Sequence, residues 1–111
     1  MNRLFQRFQD VIESSFHTTL YKTDVYHPFD FRDKDKFYYV VKLYIQSMDH
    51  IDITIPVDKI TTADKSYKDV HFIFSLDEGF FMWTYSKNNI KELTLKGDIY
   101  VLDKNALEPL P

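Results

Sequence analysis

The chain has no cysteine, only two glycines, and no run of apolar residues long enough to span a membrane. Each lack excludes something. Without cysteine there are no disulfides and no thiolate metal site, which fits a reducing compartment and predicts a cytoplasmic protein. With two glycines, phosphate-cradling loops and dinucleotide fingerprints are ruled out, and no Gly-x-Ser-x-Gly elbow occurs. No window approaches a membrane span. The N-terminal stretch carries Asp10 and Glu13 and lacks a continuous apolar core, so neither a signal nor a transit peptide is expected. Charge of one sign is also scarce. A net charge of −3, spread along the chain, disfavours bulk-charge binding to nucleic acid and is too mild for a nucleic-acid mimic.

What is present is large and apolar. Aromatic residues make up 17% of the 111 residues, chiefly Phe and Tyr, which argues against disorder. A chain of this length forms one domain, 1–111, and buries about 65% of its unfolded surface. Plentiful Lys, Ile, Asn and Tyr are the composition of an AT-rich genome, as in many bacteria and phages.

The strongest pattern runs from Phe37 to Val57. Phe37, Tyr39, Val41, Leu43 and Ile45 alternate with Tyr38, Val40, Lys42, Tyr44 and Gln46; Ile51, Ile53, Ile55 and Val57 alternate with polar residues. A period of two predicts strands, and odd-to-odd pairing across Met48–Asp49–His50 predicts a hairpin at about 37–57 with Ile45 opposite Ile53, Leu43 opposite Ile55 and Val41 opposite Val57. Pro56 marks the second strand as an edge or a bulge.

Upstream, Leu4, Phe5, Phe8, Val11, Ile12 and Phe16 recur at helical spacing and predict an amphipathic helix at about 2–18 that packs on the sheet. Tyr21 to Val25, and Phe29 with Phe31, read as short extended pieces around Pro28, with Asp33–Lys34–Asp35–Lys36 a solvated turn. Residues 61–69 are polar and predict a loop or one helical turn. A second hairpin at about 70–86 is expected around Asp77–Glu78–Gly79, pairing Leu76 with Phe80, Phe72 with Thr84, Ile73 with Trp83 and His71 with Tyr85. Both of its faces are apolar, so the sheet is either covered twice or shows aromatics to another molecule. Strands over about 90–103 turn at Gly97–Asp98, pairing Leu95 with Tyr100 and Leu93 with Leu102. The tail, 104–111, is expected along the surface. The fold class is therefore α+β: one N-terminal amphipathic helix packed on a curved, mainly antiparallel sheet of about five to seven strands.

Chemistry is thin. The four histidines, His17, His27, His50 and His71, show no metal spacing, and no metal or other cofactor is expected. Asp30, Asp33 and Asp35 lack the glycine and distal glutamate of a calcium loop. His71 with Tyr85 and Asp69 is a candidate acid–base cluster, though such clusters more often satisfy their hydrogen bonds locally. Three functions follow. The first is a non-enzymatic protein that binds a protein partner through an aromatic sheet face or an edge strand, with Phe81, Trp83, Tyr85, Tyr38 and Tyr44 as the partner-binding residues; homodimerisation through an edge strand belongs here. Small inhibitor, immunity and phage counter-defence proteins have this make-up. The second is a small-ligand or single-stranded nucleic-acid binder stacking on the same rings. The third is a small enzyme using His71 or His27.

Overall fold

The computed structural model describes residues 3–41, 53–76 and 79–110. Its elements run α1 (Arg3–Phe16), β1 (Tyr21–Lys22), β2 (Phe31–Arg32), β3 (Lys36–Val41), β4 (Ile53–Pro56), α2 (Val57–Lys65), β5 (Asp69–Leu76), β6 (Gly79–Thr84), β7 (Leu93–Lys96), β8 (Ile99–Leu102) and β9 (Glu108–Pro109). The fold is α+β and mostly antiparallel. A mixed six-stranded sheet has the order β1-β2-β3-β5-β6-β9, and a three-stranded sheet the order β4-β8-β7.

The helix forms as its apolar spacing predicts. Phe8 and Ile12 are buried against the large sheet, while Gln6 bonds Asp10 at 2.9 Å on the wet side. Its end is set by His17. His17 has φ 52°, and the Thr18 N–H returns to the Glu13 carbonyl at 3.2 Å, a left-handed C-terminal cap.

Among the described residues β3 and β4 do not pair with each other as the expected 37–57 hairpin requires. β3 pairs in parallel with β5, Phe37 opposite Val70 and Val41 opposite Phe74, and antiparallel with β2. β4 pairs with β8 in the other sheet, so Ile53 meets Leu102 and Ile55 meets Tyr100, and Val57 opens a helix. The proposed Met48–Asp49–His50 loop lies outside the described residues. Alternation reports which face a side chain takes, not which strand it meets. β3 buries Phe37 on one face and Tyr38 and Val40 on the other, as a central strand does. Of the edge or bulge expected at Pro56, the described residues show the edge, with β4 bounding the small sheet.

The polar stretch at 61–69 is helical to Lys65 and enters β5 at Asp69. α2 buries Ile60 and Ala63, and its threonines bond back one turn, Thr61 Oγ1 to Val57 O at 3.1 Å and Thr62 Oγ1 to Asp58 O at 2.8 Å.

The β5–β6 hairpin exists, one residue out of the expected register. Leu76 pairs with Gly79, Phe74 with Phe81, Phe72 with Trp83 and His71 with Thr84. Gly79 thus opens a strand at φ 132° instead of closing the loop. A side chain there is strained whatever space surrounds it, so Gly79→Ala is expected to cost about 1–2 kcal/mol. A urea titration would read it, and an unchanged midpoint would contradict the assigned backbone.

The slip decides the faces. Val70, Phe72, Phe74, Leu76 and Trp83 share one core with Ile53, Ile55, Ile60, Ala63 and Leu102, from α2 and the small sheet. Tyr38, Val40 and Ile73 share the other with Phe8 and Ile12 of α1. The large sheet is covered on both faces. β7 and β8 pair as expected, Leu93 with Leu102 and Leu95 with Tyr100, with Gly97 at φ 65° in the turn. The tail adds a strand: Pro109 lies opposite Phe81, and the Leu110 N–H reaches the Phe80 carbonyl at 2.9 Å.

Candidate functional site

The residues expected to form an exposed aromatic face do not form one. Trp83 is 2% exposed, its ring 5.8 Å from Phe72 and its Nε1 donating to Glu92 Oε1 at 3.3 Å. Phe81 and Tyr85 are half-buried against the same core. The Tyr85 hydroxyl donates to Asp64 Oδ1 of α2 at 2.6 Å; burial, and then that carboxylate, push it up to about 12. Tyr38 sits fully buried on the opposite face under α1. Tyr44 lies outside the described residues. The same burial takes Tyr38 and Trp83 from a base-stacking role. The physical reason is the covering of both sheet faces by the chain itself.

The expected His71–Tyr85–Asp69 cluster is replaced by another. Asp69 instead pairs with Lys36 at 3.3 Å on the surface. His71 Nδ1 lies 2.6 Å from Thr84 Oγ1, and its ring is stacked on Phe16 at 5.2 Å and tilted against Tyr38 at 5.4 Å. Nε2 is buried with no partner. Burial, and then the charge of Lys36, lower its pKa to about 4. Tyr38 donates to Asp33 Oδ2 at 2.7 Å, and burial, then that carboxylate, raise its pKa.

Asp33 is not a solvated turn residue. It is buried, and it accepts the N–H groups of Asp35 at 2.8 Å and Lys36 at 2.7 Å and the Thr18 hydroxyl at 3.3 Å. Burial raises its pKa, but the hydrogen bonds outweigh that and hold it below the usual carboxylate value. This cluster is sealed beneath the end of α1. It fixes the β2–β3 turn, and His71, stacked under Phe16, is 6% exposed. Among the described residues no group of three or more His, Asp or Glu is placed to hold a metal ion. Asp30 and Asp33 are turned instead to backbone N–H groups, Asp30 Oδ2 accepting from Val40 at 2.8 Å.

A different surface stands out. Between β1 and β2 the chain folds back over the α2 side of the large sheet as a tightly bonded loop. Thr23 N–H reaches Asp30 O at 3.2 Å, and the Thr23 hydroxyl donates to Phe29 O. Asp24 Oδ1 accepts from Tyr26 N–H at 3.1 Å, and its carbonyl from His27 N–H at 2.9 Å. His27 Nδ1 accepts from Phe29 N–H at 3.1 Å, which leaves the neutral ring's proton on Nε2. Lys59 of α2 ties the loop down, donating to Pro28 O at 2.7 Å.

Phe29 is driven into the core, yet Val25 is 86% and Tyr26 93% exposed. The pattern continues sideways through rings: His27 lies 4.8 Å from Phe37, and Phe37 5.9 Å from Tyr67, itself 87% exposed. Lys68 Nζ stands 5.0 Å over the Phe37 ring and donates to Asp33 O at 3.0 Å. Beside His27 a cleft of about 310 Å³ is lined by Lys22, Asp24, Val25 and Phe31 among others. The arrangement offers exposed aromatic and apolar tips beside lysines held by backbone carbonyls.

Sequence reasoning passed over Val25, Tyr26 and Tyr67. The sequence pattern places Val25 in a short extended piece and Tyr67 in a polar stretch. The available signal was Tyr26–His27–Pro28, a turn that spends a large ring where a small polar residue would serve.

Compared with protein-family models, with curated proteins and with solved structures, the chain matches none of them.

Proposed function

We propose that this chain is a small non-enzymatic interaction protein that docks on a protein partner through the Thr23–Phe29 loop, with Tyr26, Val25 and Tyr67 as anchors. One observation carries the reading: a loop pinned by its own hydrogen bonds and by Lys59 buries Phe29 and holds Val25 and Tyr26 out in water. An ordered loop loses little entropy on binding, and tyrosine is enriched among the residues that dominate interface energies. A projecting tip fits a pocket on another protein better than it encloses a small molecule. An inhibitor or immunity role, in the cytoplasm of a bacterium or in a phage, is the finer form of this reading, supported by small size and the lack of cysteine. Self-association through a strand edge is compatible with it.

A second reading has its own support. The cleft beside His27 is large enough for a small ligand and carries Lys22 and Asp24 as polar contacts.

The test is capture from an extract of the native source, with the wild-type chain and the Val25→Ser/Tyr26→Ser variant as baits. Both sites are exposed, so stability is expected to stay within about 0.5 kcal/mol. Loss of anchors at an interface centre is expected to weaken capture by about 30-fold or more. Equal recovery of the same partner by both baits overturns the assignment. Capture reduced by His27→Ala alone would favour the cleft.

A further inference from the structure

We propose that α1 is an acid-released cover: protonation of His71 undocks it from the large sheet as one unit, pivoting at His17, while the core on the α2 side stays closed. Three features meet at the end of this helix. His71 is 6% exposed and its Nε2 is buried with no partner, so a second proton on the ring has nothing to bond. The wall that α1 sets against the ring is Phe16, stacked at 5.2 Å with the planes 24° apart. The next residue, His17, is exposed and holds a φ of 52° where the chain leaves the helix. A non-glycine residue in that region is kept there by its surroundings rather than by preference.

An imidazolium needs water, and the fold decides which wall yields. The other neighbours of the ring belong to the sheet: Tyr38 on β3 and Thr84 on β6, the two strands that flank β5. Shifting either strand breaks a ladder. It also disturbs Phe72 and Trp83, which are paired across β5 and β6 and belong to the core on the opposite face. Moving Phe16 breaks no sheet bond. It gives up the contacts with His71 and Tyr38 and the burial of Phe8 and Ile12, and it bares Tyr38, Val40 and Ile73. The two faces of the sheet carry separate cores, so one opens without the other.

The charges around the ring set the pH window. Burial first, and Lys36 on β3 second, lower the His71 pKa from 6.5 to about 4; Asp69 on β5 and Asp33 in the β2–β3 turn oppose them. The neighbours from α1 and β6, Phe16 and Thr84, carry no charge. Asp33 has its pKa below 3.8, so its bonds to Thr18 and Tyr38 last through this window and hold the chain just past the pivot. An undocked His71 takes up a proton near 6.5 that the docked ring refuses down to about 4. Docking is therefore complete above about pH 6.5 and weakens as the pH falls. The undocking constant is expected to rise about 20-fold between pH 7 and pH 5.

The test is amide hydrogen exchange across α1 and β5, with rates corrected for the intrinsic effect of pH. In the wild type, α1 is expected to open more readily than β5 at each pH, with its opening constant showing the 20-fold rise. Equal protection of α1 and β5 means that the helix leaves only when the whole chain unfolds, and overturns the proposal. His71→Leu is expected to lose the rise; an undiminished rise overturns it as well. Phe16→Ala distinguishes a wall from a packing contact. The site is half-buried, and emission of Trp83, in the core on the other face, checks that the variant is folded. The His71 pKa in that variant, followed by NMR of the ring, is expected to climb from about 4 toward 6.5. A value still near 4 shows that Phe16 is not what keeps water from the ring, and overturns the proposal. The docking loop takes no part: Val25→Ser/Tyr26→Ser is expected to undock like the wild type, so failure here and failure of the docking loop are separate results.

Discussion

Trp83→Ala is expected to lower folding stability by about 4 kcal/mol, near the upper range for a single core truncation. The side chain is 2% exposed. It lies against Phe72 at 5.8 Å and Tyr85 at 6.3 Å, at a point where the large sheet, α2 and the small sheet share one core. Alanine would leave a cavity that strands on both sides hold open, since neither sheet collapses without breaking its ladder. It would also strip Glu92 of its indole donor. Trp83→Phe separates the two losses. It keeps most of the bulk and is expected to cost about 1–2 kcal/mol, chiefly the hydrogen bond and a smaller void. Urea unfolding followed by circular dichroism, which does not depend on the tryptophan signal, measures both. A loss below about 1 kcal/mol for Trp83→Ala would mean that the ring does not seal the interior, and the β5–β6 register would have to move.

That register is not fixed by the local pattern of residues 70–86. The hairpin, its strands and their two apolar faces are all visible in residues 70–86. Asp77–Glu78–Gly79 matches a three-residue loop so well that Gly79 is taken for the closing residue. The chain uses Gly79 as the first paired residue instead. A single step exchanges the partners of every side chain, and Phe72 meets Trp83 rather than Thr84. Local signals fixed the Gly97 turn correctly because two apolar pairs, Leu93 with Leu102 and Leu95 with Tyr100, agree with it. In β5–β6 almost any register pairs apolar with apolar, so pattern alone does not choose.

Long-range pairing is less legible still. Nothing local in Lys36–Val41 points to Asp69–Leu76 as a parallel neighbour, because that contact is stabilised by the packing of whole layers. The helix of Val57–Lys65 is obscured by adjacent threonines, which weaken helices in isolation and are accommodated here by bonding back one turn. The candidate surface suffered for a related reason. Tyr26 falls beside Pro28 and Tyr67 in a polar stretch, and only the fold shows that Phe29 and Phe37 take the buried places beside them and leave both tyrosines exposed.

The buried histidine gives the second large effect, and its sign follows from linkage. His71 has its pKa lowered from 6.5 to about 4 in the folded chain, by burial first and by Lys36 second, with Asp69 and Asp33 opposing. Between those values the unfolded chain binds a proton that the folded chain refuses. Stability is therefore complete above about pH 6.5, falls as the pH drops, and is lost to the extent of about 3 kcal/mol near pH 4. Asp33 acts lower down: its pKa is below the ordinary 3.8, so its contribution disappears only as the pH falls past that point. The geometry supports the histidine assignment independently. Phe16 stacks on the ring, Tyr38 packs against it, and Nε2 has no acceptor for a second proton. The lower-cost neutral form keeps its proton on Nδ1, donating to Thr84 Oγ1, since a stranded lone pair costs less than a stranded N–H. His71→Leu should abolish the slope between pH 6.5 and 4 while changing stability little at pH 7, because Thr84 is half-buried and finds water. Urea midpoints at several pH values across that window, for both proteins, decide it. Parallel curves would show that some other group carries the acid sensitivity and that the pocket under α1 tolerates a charged imidazole. Convergence of the two curves above pH 6.5 and divergence below it would identify His71 as the residue through which acid loosens α1 from the sheet.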